Sequence, residues 1–312
     1  MIKFCFLLVA SVFFTVVKAQ TDALFSPGKG RFIVAAEQAQ HRIVIIDADK
    51  KAIVWEWIPA QVLPVAEAKW FTNPSDAKAV YNNKYLLVVA SGGGVALVRI
   101  ADKKTVFHAY AGGNTHSAEV LPDGNIVSAS STDNYLTVFK VDTTTAPGKV
   151  YSKRIYIAFG HNVVWDKKRN FLWSADMHQL KTFRYNFNCA QPDLTLIDSV
   201  AVKGSEGHDL FPVFGQDSLW LTNKSGVFKI SAATKKMIVA NTPQKSVKSI
   251  TSGPTGYPAI VMIPQEQWWT DEIRDVDGNS LFKQAGLKMY KARWILENTF
   301  SYSENDTLKL CK

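Results

Sequence analysis

Three histidines in this chain share a setting that could support chemistry. His116, His161 and His208 each head a short apolar run, stand 45 and 47 residues apart, and are three of only six histidines in 312 residues. Asp76 holds the same slot 40 residues before the first, and Lys248 holds it 40 residues after the last. Neutral imidazole is a preferred ligand for zinc or manganese, and three protein ligands leave coordination positions open for water or substrate. A divalent ion held there would polarise a substrate carboxylate and acidify the neighbouring C–H bond. Lys248, or His178 in the loop "DMHQ", would then be placed to remove that proton. The simpler reading is a channel lined by water-bonded polar side chains. Three histidines in register, out of six, favour a site with His116, His161 and His208 as metal ligands.

The surroundings suggest what such a site would take. The loop "QEQWWTDEIRD" (265–275) is longer than its counterparts. Trp268 and Trp269 in it offer a stacking platform for sugar rings, and Arg274 and Asp76 offer polar contacts to a substrate. Against that, two adjacent tryptophans can equally plug a gap against a neighbouring element. The formal net charge is +9, with the basic residues scattered through turns such as "DKK" and "DKKRN". Such turns are mostly solvated surface, but the field they create attracts acidic ligands. The expected partner is an acidic saccharide or another small ligand, not nucleic acid, bound by a monomer.

The elements that must position these residues are strands. Apolar segments of four to eight residues alternate with turn signals, and no long stretch has helical periodicity. "SDAKAVYNNKYLLVVAS" from Ser75, "THSAEVLPDGNIVSAS" from Thr115, "GHNVVWDKKRNFLWSA" from Gly160 and "GHDLFPVFGQDSLWLT" from Gly207 align as strand, turn and strand. "VKSITSGPTGYPAIVMI" is a weaker copy that carries Lys248. A period of 40–47 residues with four short strands per unit identifies a β-propeller. The segment "RFIVAAEQAQHRIVIIDADKKAIVWEW" keeps the later strands of a unit but has no clear inner one. Counting it gives an all-β, six-bladed β-propeller with four antiparallel strands per blade, over residues 24–312. The C-terminal "DTLKLCK" is expected to supply the strand that closes the ring. Inner strands line a propeller's channel, so the lead residues should converge at one mouth.

The N-terminus "MIKFCFLLVASVFFTVVKAQ" has a basic start, an apolar run too short for a membrane span and a small-residue site at Ala19. It reads as a signal peptide, residues 1–19, which predicts a periplasmic or secreted product with no membrane span. Cleavage leaves Cys189 and Cys311, which can pair in an oxidising compartment. "GKGRF" and "GGG" open no helix after a strand, so neither is a phosphate loop. Around "DVDGNS" Ile273 and Gln284 stand where a calcium loop needs carboxylates, so a turn is the better reading, and there is no nucleophile elbow and no CxxC.

"EVLPDGNIVSAS" and "AIVWEWIP" together resemble the blades of quinoprotein-like and arylsulfotransferase-like propellers. The chain after the leader is most similar to an uncharacterised family of secreted six-bladed propellers from Bacteroidetes. The histidine trio resembles the zinc site of the peptidyl-hydroxyglycine amidating lyase and the channel histidines of oligogalacturonate lyases, which implies metal ligation by His116, His161 and His208. Neither family's full motif is present, so the likeness is one of architecture. Two functions follow as expectations. One is a metal-dependent lyase acting on an acidic saccharide. The other is a non-catalytic propeller that captures a glycan or a protein on the same face.

Overall fold

Turn chemistry sets the strand boundaries. In "LPDGN", Leu121 N–H donates to the Asn125 carbonyl at 2.8 Å, and Gly124 takes φ 93°, a left-handed conformation that glycine adopts without strain. Elsewhere an aspartate closes the turn on itself, as when Asp47 Oδ1 accepts from the backbone N–H groups of Asp49 and Lys50. Between turns the strands alternate, but both of their faces are apolar. In "RIVIID", Ile43 and Ile45 enter one hydrophobic cluster while Val44 and Ile46 enter another. Strands buried on both faces belong to sheets stacked between neighbours.

The computed structural model describes residues 23–311. In it, twenty-four strands form six four-stranded antiparallel sheets arranged as a six-bladed propeller. The inner strands are Met289–Trp294 in blade 1, Pro74–Val80 in blade 2, Thr115–Val120 in blade 3, Val164–Asp166 in blade 4, Asp209–Pro212 in blade 5 and Ser249–Thr251 in blade 6. Six apolar clusters fill the gaps between adjacent blades, so the core is a ring of interfaces instead of one centre. Short helical turns between residues 59 and 71 link blades 1 and 2. No helix among the described residues is long and apolar enough to cross a membrane. The segment read as a leader, residues 1–19, lies outside the described residues.

Ring closure differs from the expectation. The inner strand missing from blade 1 is Met289–Trp294, in "KMYKARW", which pairs antiparallel with Phe32–Glu37 through Ile33↔Trp294, Ala35↔Ala292 and Glu37↔Met289. Within "DTLKLCK" the described residues, 306–311, form no strand. They belong to a tail that crosses the turns at the far end of the channel, with Leu308 packed on the blade 2–3 cluster. Lys309 Nζ donates to the Pro122 carbonyl at 3.0 Å, and Cys311 is disulfide-bonded to Cys189. Gly124 leaves room for this tail, because a Cβ there would meet the Lys309 backbone.

Candidate functional site at the upper channel mouth

The channel is filled by charge. Arg293, from the closing strand, donates to both carboxylate oxygens of Asp76 at 2.8 Å, and to Asp209 at 2.7 and 3.2 Å. Lys291, two residues earlier on the same face, donates to Asp209 Oδ1 at 3.2 Å and to the His208 carbonyl at 3.0 Å. Lys78 reaches Glu119 at 3.1 Å and the Val163 carbonyl at 2.8 Å, and Tyr302 of the tail donates to the other oxygen of Glu119. Apart from the half-buried Tyr302, the charged groups are buried, and they join the inner strands of blades 1, 2, 3 and 5 with Val163, just ahead of the blade 4 inner strand. Burial alone would raise the Asp76 carboxyl, but Arg293, backed by Lys291 and Lys78, outweighs it and holds the group at about 2. Asp76 is therefore committed to Arg293 inside the channel wall and presents no free oxygen to a substrate.

Above this plug the three histidines do meet. The rings of His116 and His161 stack with centroids 4.4 Å apart and planes 14° off parallel, and His208 stands edge-on to His161 at 5.7 Å. His116 and His161 are buried, whereas His208 and Lys248 are half-buried nearer the rim. His161 Nδ1 lies 3.1 Å from the Phe159 carbonyl, and the Phe159 ring packs 4.1 Å from the imidazole. Phe159 takes φ 58°, which is unfavourable for a bulky residue and places its ring against His161. His116 Nδ1 and His208 Nδ1 are buried without a hydrogen-bond partner.

Electrostatics keep this cluster neutral. Burial, then the neighbouring imidazole of His161 and the ammonium of Lys291, push His116 well below its ordinary value. Burial holds His161 at about 3, with Lys291 and Lys248 adding to it against the Phe159 carbonyl. Burial followed by Lys248 holds His208 at about 2. Lys248 is itself lowered, first by burial and then by Lys291. Its ammonium makes no ion pair or hydrogen bond among the described residues, while nearby Glu206 is taken by Lys224.

As placed, these groups do not fit a divalent ion. Parallel stacked rings cannot both aim a nitrogen at one point between them, and two ammonium groups oppose a dication. Among the described residues no three His, Cys, Asp or Glu side chains are grouped as a metal ion requires.

The other expected site residues lie apart from the trio. His178 is exposed in its loop, where its backbone N–H donates to Asp176 Oδ1 at 2.8 Å. Trp268 Nε1 donates to Gln38 Oε1 at 3.0 Å, and Lys288 Nζ sits 4.6 Å over the Trp269 ring, so both tryptophans lean on blade 1. Trp268 still exposes 48% of its surface. Arg274 is paired with Glu272 on its own strand at 2.6 Å. Sequence reasoning passed over Lys291, Arg293 and Asp209. The signal for the first two was present, since "KMYKARW" puts two cations at i and i+2, on one face of a strand.

The imidazole state makes stability depend on pH. In the unfolded chain these histidines take up protons below about pH 6.5, whereas His161 and His208 in the fold stay neutral down to about 3 and about 2. The unfolded state thus binds more protons across this window, so stability falls as pH drops from 6.5. Each histidine contributes a slope approaching about 1.4 kcal/mol per pH unit once fully developed. Glu119, raised by burial, acts in the opposite direction, so slopes of variant and wild type must be compared. Thermal melts from pH 7 to 4.5 should show a shallower decline for His161→Gln, and equal slopes would refute the assignment.

Comparison with known proteins agrees with the ring. A family model matches residues 8–312. The chain belongs to this family, described as a family of unknown function (DUF6528). No curated protein matches. Among solved structures, a protein of unknown function from Bacteroides caccae aligns with TM-score 0.56 and 15% identity, covering 86% of this chain and 100% of that one. The β-propeller domain of Cps50 (Swd1) from Myceliophteria thermophila gives TM-score 0.55 and 14% identity over 85% of this chain and 86% of that one. At such identities the likeness establishes the fold alone.

Proposed function

We propose that the upper mouth captures the carboxylate of a small anionic ligand, of which an acidic saccharide is the expected class, and that the protein works as an exported binding propeller. The observation that carries this reading is Lys248, a half-buried ammonium that makes no ion pair or hydrogen bond among the described residues and whose nearest carboxylate, Glu206, is held by Lys224. Beside it stand imidazoles with free Nδ1 atoms and no carboxylate that is not already paired. A ligand carboxylate supplies the missing charge, and the neutral imidazoles of His208 and His116 can donate to its oxygens or to adjacent hydroxyls. The exposed face of Trp268 lies on the rim of blade 6, the same blade as Lys248, where a sugar ring can rest. Export is supported by the Cys189–Cys311 disulfide, a bond that persists in oxidising compartments.

Titration calorimetry with oligogalacturonate tests the reading. Wild type should bind, and Lys248→Ala should weaken binding by about ten- to a hundred-fold, the loss expected for one charge-assisted contact. Binding that is unchanged in Lys248→Ala would refute the site.

The second reading is catalysis, a metal-dependent lyase in which Lys248 takes the proton from the saccharide. It is favoured by the lowered pKa of Lys248 and the neutral state of the trio, since ligating imidazoles must be unprotonated. It requires His116 and His161 to turn out of their stack. Elemental analysis after zinc or manganese loading separates the readings. Stoichiometric metal that is lost in His161→Ala would put the lyase ahead, and equal content in both proteins would leave the binding module.

A further inference from the structure

The opposite end of the ring holds a cleft of ≈ 250 Å³ that has no part in the upper mouth. Its walls come from the blade 5 turn at Phe211–Gln216, from Ser252 after the blade 6 inner strand, and from tail residues Leu296–Phe300. Phe211, Phe214 and Phe300 give it an aromatic surface. Its polar groups have capacity left over. Glu297 makes no hydrogen bond or ion pair among the described residues. Asn298 accepts from Ser301 N–H through Oδ1 at 3.1 Å, which leaves its NH₂ free. Ser252 Oγ accepts from Phe214 N–H and Trp220 Nε1, both at 3.2 Å, so its own proton is available. The flanking cations are engaged, Lys168 with Asp217 at 3.2 Å and Lys167 with the Tyr302 carbonyl at 2.8 Å.

We propose that this cleft is a second binding site, for a neutral polyhydroxylated ring of one pyranose unit. A purely apolar guest would strip water from Glu297, Asn298 and Ser252 and return nothing. An anion would meet the unpaired Glu297 carboxylate while both lysines are already bonded. An organic cation would suit Glu297, but Phe211 already has the Arg293 guanidinium 4.1 Å from its ring centre, so a fixed positive charge stands behind that wall. A pyranose satisfies every group. Its C–H faces lie on the aromatic rings, and its hydroxyls donate to Glu297 and accept from Ser252 and Asn298. The volume falls just below the range of about 300–1,000 Å³ usual for drug-sized guests, which suits one ring and not an oligomer.

Saturation-transfer NMR on the full, disulfide-intact chain tests the proposal. The probes are methyl β-glucoside, methyl β-galactoside and methyl α-mannoside, with choline and galacturonate as comparators. At least one methyl glycoside should show transfer, and Glu297→Gln and Phe300→Ala should each weaken it about ten-fold or more, the equivalent of one lost hydrogen bond to a charged group. Glu297 is exposed, so Glu297→Gln decides the matter even if Phe300→Ala disturbs the tail. The proposal is overturned if no glycoside shows transfer, if Glu297→Gln leaves transfer unchanged, or if choline or galacturonate is the guest whose binding that substitution alters.

Discussion

A chain ended at Lys288 should accumulate as insoluble protein, or as soluble protein that melts without a cooperative transition. The truncation removes the inner strand of blade 1, and with it Met289, Ala292 and Trp294 from the cluster between blades 6 and 1. Full burial of one large apolar side chain is worth about 1.5–3 kcal/mol, so this loss alone approaches a sizeable part of a domain's net stability of roughly 5–15 kcal/mol. Two further costs arrive together. Asp76 and Asp209 lose Arg293 and Lys291, and the backbone of Phe32–Glu37 becomes an unpaired apolar edge. A chain ended at Ser303 keeps the closing strand but loses the disulfide, and it should fold with a lower Tm. Solubility and calorimetric melts of the two truncations make the comparison. A cooperative transition in the Lys288-terminated chain would show that the seam is dispensable.

Arg293→Met should lower stability by about 3–5 kcal/mol, which is a fall in Tm on the order of 10 °C. Methionine fills much of the same space, so the cost is mainly electrostatic. Two carboxylates buried to 1% exposure lose the guanidinium that bridges them. Asp209 keeps Lys291, whereas Asp76 loses the one hydrogen-bonded ion partner it has among the described residues. Adding Asp76→Asn should therefore recover part of the loss, the non-additivity expected of groups in one network. A variant that melts within a degree or two of wild type would mean that the channel charges are solvated and contribute little. Arg293→Lys should fall between the two, because a point charge cannot make the paired contacts to Asp76.

The propeller was legible because each blade repeats the same local chemistry. Turns such as "LPDGN" and apolar runs such as "RIVIID" carry their own boundaries, and their spacing gave six units. The seam was not legible, because "KMYKARW" carries three cations and resembles a surface segment. Its alternation becomes meaningful only when Lys291 and Arg293 are seen to meet Asp209 and Asp76, partners 82 and 217 residues away. "DTLKLCK" misled for the converse reason, since it alternates like a strand yet Leu308 docks singly on a finished ring while Leu310 stays exposed. At the mouth, the convergence of His116, His161 and His208 followed from strand position, which sequence register reports. The stacking of two of their rings depends on side-chain rotamers and on Phe159, which register does not report. Likewise nothing in "QEQWWTDEIRD" foretells that Gln38 and Lys288 draw its tryptophans toward blade 1.

The clasp between Cys189 and Cys311 has a mechanical meaning. A ring closed by one strand is weakest at its seam, and a pull on the C-terminal end would ordinarily peel Met289–Trp294 away from Phe32–Glu37, one residue at a time. Here the tail is fastened to blade 4 beyond the seam, so tension applied at the end of the chain passes through the sulfur–sulfur bond into blade 4. The closing strand carries no load. A translocating protease that grips the C-terminus must therefore extract blade 4 against the packing on both its flanks, and only reduction of the clasp exposes the seam to being unzipped.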